Sequence, residues 1–174
     1  MAIAKHHSPS AHTRRLAYAA SAWAFSFAAV SFYWAAGGTI GLATLGSTLH
    51  ALALARDSIA IAVGGWGAGV AKLIGGLLPL ALLRSTEHPR FHRVLRVVTG
   101  AGGLGMALYG GASLVQHALM LAGVITLPAG LGLFGARWHL LLWDPWWLLG
   151  GLLFTLVAWW SASWGGGDAD TFHP

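Results

Sequence analysis

The chain has 174 residues, of which 56% are hydrophobic and only 9% charged, with a formal net charge of +5. Soluble domains carry about 25% charged residues, so a water-covered globule is excluded for want of polar side chains to clothe it. The lack of cysteine excludes disulfides, thiolate catalysis and Cys-ligated metals. The basic excess does not point to nucleic acid, because it gathers at the ends of apolar runs, as the positive-inside rule requires.

Residues 1–15 contain Lys5, Arg14, Arg15 and three histidines and read as a disordered basic cytoplasmic arm. The first apolar run covers 16–36. Arg14-Arg15 ahead of it resembles a twin-arginine signal. The run is longer than the roughly 7–15 residues of a signal-peptide core, so a retained anchor is predicted. Further runs cover 59–83, 94–125 and 146–164, and the 94–125 run is long enough to be tilted or broken at its glycine-rich start. Each run is near the ~20 residues that cross ~30 Å of hydrocarbon. Backbone groups inside lipid must bond within their own segment, which makes these runs helices. They lack the apolar–polar alternation of barrel strands. The fold class predicted is therefore an all-α, integral membrane four-helix bundle spanning 16–164, with a tail at 165–174.

Arg84, Arg90, Arg93 and Arg96 lie between the second and third spans. With Lys5, Arg14 and Arg15 they place seven of the ten Lys and Arg on one side. Arg56 and Arg137 fall on the other and Lys72 within a span, so both termini are predicted to be cytoplasmic. The outer loops, 37–58 and 126–145, are themselves apolar. Residues 39–55 are expected to form a short helix on the membrane surface and 131–143 a re-entrant or interfacial segment, together capping the bundle.

Three groups of residues are candidates for function. In the second span Gly65, Gly69, Lys72, Gly76 and Pro79 recur at helical spacing on one face, where small residues let a neighbouring backbone approach. Lys72 sits near the middle, where an ammonium costs roughly 2.5–3.5 kcal/mol. No Asp or Glu lies in the predicted spans. Lys72 is therefore expected to snorkel, to bond carbonyls or Tyr109, to be neutral, or to meet an anionic ligand. In the third span Tyr109, Ser113, Gln116, His117 and Met120 form a polar stripe. The stripe serves interhelical hydrogen bonds, or lines a pocket in which His117 acts as acid or base.

The third group lies in the outer loops. Asp144 suits a helix cap, Pro145 a first turn, and the nearby tryptophans an interfacial belt. Arg137 and Asp144 form a possible pair. The alternative is an outer site built from His50, Arg56, His117, Arg137 and His139. The catalytic candidates are Lys72, Tyr109 and His117, and the ligand-binding candidates are Gln116, Arg137, His139, Asp144 and Trp34. Sequence spacing gives no histidine cluster for a metal, since Pro89 separates His88 from His92 in an arginine-rich loop. No metal or cofactor is expected. Phosphate-binding, His-Glu-x-x-His and G-x-S-x-G motifs are absent.

Phe32-Tyr33-Trp34-Ala35-Ala36-Gly37-Gly38 resembles the Tyr-Trp-x-x-Gly-Gly pattern of a bacterial family of small membrane proteins. The stretch Ala136-Arg137-Trp138-His139, followed by Trp143-Asp144-Pro145-Trp146-Trp147 and the run to Phe154, resembles that family's final loop and helix. The family is domain of unknown function 3995, and the resemblance runs from about Leu16 to Trp160. It implies four membrane helices, no established activity and no catalytic residues to carry over. The polar arm before the first span is longer than the family pattern.

Three functions are compatible with the sequence. The leading one is a helical bundle or subunit of a membrane assembly. The second is a membrane-embedded enzyme acting on a lipophilic substrate as an isomerase, cyclase or lipid-modifying enzyme. The third is an oligomeric transporter or channel. The partners expected are the lipid bilayer, a lipophilic or anionic ligand, and a second copy or membrane partner.

Overall fold

A computed structural model describes residues 10–85 and 88–164. Residues 1–9 of the arm and the tail 165–174 lie outside the described residues. Those described are overwhelmingly helical and contain no strand. The helices are α1 (Ala11–Ala35), α2 (Ser47–Leu54), α3 (Ala60–Arg84), α4 (Pro89–Leu121) and α5 (Gly132–Trp160). All but α2 are long and apolar enough to cross a membrane.

Local chemistry explains the helix ends. The Ser10 hydroxyl accepts from the Thr13 N–H at 3.2 Å and starts α1 at Ala11, so residues 11–15 of the arm are helical. Asp57 caps α3, its carboxylate accepting from the Ala60 N–H at 2.8 Å. Pro89 occupies the first turn of α4, where a missing N–H costs nothing. That helix runs unbroken through its glycines. It stops short of the predicted residue 125 because Gly123 turns left-handed at φ 74°, and the Val124 N–H closes back on the Leu119 carbonyl.

The fourth apolar run departs most from expectation. Residues 131–143, expected to be re-entrant or interfacial, are the first part of one helix beginning at Gly132. Its turn at His139–Trp143 is widened to a π-helix, with the Asp144 N–H reaching back five residues to the His139 carbonyl. Pro145 follows at once. It has no N–H and crowds the carbonyl four residues back, so the local distortion and its cause sit together. Ala60–Gly67 of α3 is also π-helical.

Interhelical packing is close. α3 lies along α1, α4 along α5, and α1 against α5. The predicted glycine face of α3 is the contact with α1: a Cβ on Gly65 would meet Ala35, on Gly69 the Phe32 ring, and on Gly76 the Phe25 ring. Between α4 and α5 the approach is backbone on backbone. A Cβ on Gly110 would lie 2.5 Å from the Leu148 nitrogen and one on Gly103 2.6 Å from that of Thr155, while one on Gly151 would overlap the Ala107 backbone.

Trp23, Phe27, Trp143 and Phe154 fill the centre where α1 meets α5. The Trp23 indole N–H donates to the Trp146 carbonyl at 3.0 Å. The outward faces remain apolar, for example Ile74 and Leu77 on α3, Leu104 and Leu108 on α4, and Leu149 and Leu152 on α5.

Adding one methyl at Gly151 therefore overpacks a backbone contact, which typically costs about 1–3 kcal/mol. Gly105, with open space around it, is the control. Gly151→Ala should lower the unfolding midpoint in detergent and Gly105→Ala should not. Equal midpoints would show that α4 and α5 do not meet this closely.

Candidate functional site

At the end of the bundle opposite the basic α3–α4 turn, the helices leave a cavity of about 300 Å³. α1 contributes Phe27, Ser31 and Trp34. α3 contributes Gly64, Gly65 and Lys72, α4 contributes Tyr109, and α5 contributes His139, Trp143 and Trp147. Leu42, Leu45 and Leu49, from a 3-10 turn at Leu42–Leu45 and from α2, complete the wall. Hydrogen bonds hold this covering segment in place. The Trp34 indole donates to the Ile40 carbonyl at 2.8 Å, and the Trp143 indole to the Thr44 hydroxyl at 3.0 Å. Tyr109 is 56% exposed and Leu49 50% exposed, so the cavity reaches the surface of the chain at both.

The wall is mostly apolar and has few polar groups. Lys72 Nζ donates to the Ser31 hydroxyl at 2.7 Å and lies 3.8 Å from the centroid of the Phe27 ring, a cation–π distance. Lys72 therefore neither snorkels away nor bonds Tyr109. It is held against α1, and among the described residues no carboxylate pairs with it. An ammonium has three donors, of which Ser31 takes one.

Behind His139 lies the most buried acidic or basic side chain among the described residues. Asp144 is 1% exposed. One carboxylate oxygen is 2.7 Å from His117 Nδ1 and the other 3.5 Å from His139 Nδ1. The two imidazoles face each other with centroids 4.7 Å apart, and the His139 ring also lies near the Leu45 backbone. A carboxylate removed from water needs such partners.

These positions correct three expectations. Asp144 does not cap a helix, since it sits inside α5 with its carboxylate turned to α4. It does not pair with Arg137, because both its oxygens face histidines. An acidic residue does lie in a candidate span, because α5 starts earlier than its most apolar stretch.

The candidate residues divide accordingly. The structure brings Lys72, Tyr109, Trp34 and His139 to one cavity, and links His117 and Asp144 to it through His139. Gln116 and Arg137 are exposed and lie off the cavity wall. The third-span stripe therefore splits, with Ser113, His117 and Met120 buried and Gln116 outside. Of the proposed outer site only His117 and His139 meet. Ser31, Phe27 and Trp147 also line the cavity; nothing in their spacing on α1 and α5 links them to Lys72 until the helices are packed.

An all-helical bundle with four helices fit to cross a membrane, closed at one end over a polar-studded cavity, defines the class. The chain belongs to the family described as protein of unknown function DUF3995, whose model matches residues 24–154. That stretch contains every residue of the cavity wall and of the His117–Asp144–His139 cluster. Neither a curated protein nor a solved structure matches the chain.

Removing the carboxylate strands two inward-facing imidazoles. Asp144→Ala should destabilise the protein by about 3–5 kcal/mol. Asp144→Asn, which keeps the shape and one acceptor, should cost less. Thermal melts in detergent read the difference, and unchanged melts for both variants would mean that the cluster holds nothing together.

Proposed function

We propose that this is a multi-pass membrane protein that binds a small lipophilic molecule carrying an anionic end. The basic α3–α4 turn and the basic first turns of α1, with Arg14 and Arg15, would face the cytoplasm, with both termini there and the cavity in the opposite half of the bilayer. The observation that carries this reading is Lys72. It is the cationic group on a mostly apolar wall, no carboxylate among the described residues pairs with it, and two of its donors are not used by Ser31. Cavities of about 300–1,000 Å³ with apolar walls and a few placed polar groups are the usual form of small-molecule sites. Exposed Tyr109 and Leu49 on the wall favour entry from the side, directly out of lipid. Lys72 also faces its own bundle, which argues against a pore lined by a ring of lysines from several copies.

Bromine-labelled decanoate tests the proposal, because Trp34, Trp143 and Trp147 stand on the wall and bromine quenches indole fluorescence. In nanodiscs of zwitterionic lipid, quenching by the acid should saturate, and the corresponding methyl ester should bind more weakly. A charge-assisted hydrogen bond contributes about 1.5–3 kcal/mol, so Lys72→Met should weaken the acid roughly tenfold or more. If acid and ester quench alike and Lys72→Met changes nothing, the molecule is merely partitioning into the bundle.

An enzymatic reading has one observation in its favour. His139 stands on the wall and is coupled through Asp144 to His117, an arrangement able to hold and move a proton beside a bound substrate. On that reading His139→Gln leaves decanoate quenching within about threefold, yet loses turnover of an isomerisable lipid analogue. Equal loss of both would confine His139 to binding.

A further inference from the structure

We propose that His117, His139 and Asp144 form a binding site for one divalent transition-metal ion of the zinc class. The proposal stands apart from the ligand reading at Lys72, because it uses the cluster behind the cavity wall.

Donor identity comes first. Two imidazoles and one carboxylate form a ligand set suited to zinc and its neighbours, and three protein ligands with a fourth position open is the pattern of reactive rather than purely structural zinc sites. Geometry comes next. One donor atom from each residue lies within 4.8 Å of the others. Tetrahedral ligands about 2.0–2.2 Å from a common ion lie about 3.3–3.6 Å apart, so the widest pair needs to draw in by at most about 1.5 Å. Both Nδ1 atoms already point at the same carboxylate, at 2.7 and 3.5 Å.

The backbone supplies a further argument. His139 and Asp144 are five residues apart, which in a regular α-helix at 3.6 residues per turn puts them on different faces. The intervening turn is π-helical, closing from the Asp144 N–H to the His139 carbonyl. A turn that closes over five residues stacks positions five apart on one side. The widened turn thus converts a spacing that cannot chelate into one that can. Such turns are rare and are frequent at functional sites.

The surroundings fit a bound cation. Asp144 offsets part of a dication's charge where water is scarce. His139 also lines the cavity, which gives an ion and its fourth ligand a route in. For His117 to ligate through Nδ1, the ring adopts the tautomer whose proton is on Nε2, and the carboxylate oxygen now 2.7 Å away turns to the ion instead.

Metal alone is the probe, on untagged full-length protein in detergent. The protein is stripped with a chelator, titrated with Zn²⁺, and separately with Co²⁺ for its visible absorption. His6, His7 and His12 offer adventitious sites, so a variant with all three changed to Ala serves as the parent. The expected result is one tightly held Zn²⁺ per chain and Co²⁺ bands of imidazole–carboxylate coordination. His139→Gln, on the less buried histidine, should weaken Zn²⁺ roughly a hundredfold or more with the helical circular dichroism intact. His117→Gln should do the same. Zn²⁺ should also raise the melting temperature of the parent and not of either variant. If the parent holds no metal above background, or binds it equally with both histidines replaced, the cluster is a hydrogen-bonded strut and the proposal falls.

Discussion

Close approach of backbones is the constraint on which the rest of this structure depends. Helices surrounded by hydrocarbon gain nothing from hiding leucine from lipid, so association must come from packing and a few polar contacts. Here Gly103, Gly110 and Gly151 remove the side chains that would hold α4 and α5 apart. Gly65, Gly69 and Gly76 do the same between α3 and α1. The consequence is an inside-out distribution of residue types. Small residues and a few aromatics dominate the contacts, and most large aliphatic side chains face outward, Leu82 and Val157 being buried exceptions. The cavity exists where this rule lapses. Near the covering segment Trp34, Trp143 and Trp147 are too large to permit backbone contact, and they prop the helices open around Lys72.

The polar cluster follows from the same packing. α4 and α5 are close enough for His117 to reach Asp144 directly. Once that carboxylate is enclosed, it must be shared with every donor nearby, and His139 is brought round by the widened turn. Pro145 secures that turn, because a regular helix through this point would set the proline ring against a carbonyl. The sequence Trp143-Asp144-Pro145 thus resembles a helix start and acts instead as a mid-helix distortion that aims side chains.

Much of the architecture was legible from residues alone, and the reason is the bilayer. Length, apolar content and the requirement for internal backbone bonding leave few folds open, and the helical spacing of Gly65, Gly69, Gly76 and Pro79 marked a real contact face. The site was legible only in pieces. Lys72, Tyr109, Trp34, His117, His139 and Asp144 drew attention by their chemistry, because polar groups are costly in such surroundings. Their association was hidden for two reasons. Residues 131–143 carry polar and aromatic residues that mimic an interfacial loop, which concealed the start of α5. The five-residue interval from His139 to Asp144 matches no helical periodicity until the turn is known to be π. Gln116 shows the opposite error, since its spacing follows the stripe closely enough but one step of rotation carries it outside.

The Trp23 hydrogen bond to the Trp146 carbonyl joins residues 123 positions apart. A ribosome makes α1 first, so its indole donor and much of the aromatic centre wait unmatched while three more helices are synthesised. Consolidation of this bundle is accordingly a late event, governed by arrival of the final segment. Until then α1, the most enclosed helix of the finished molecule, is the one with the most contact surface left to satisfy.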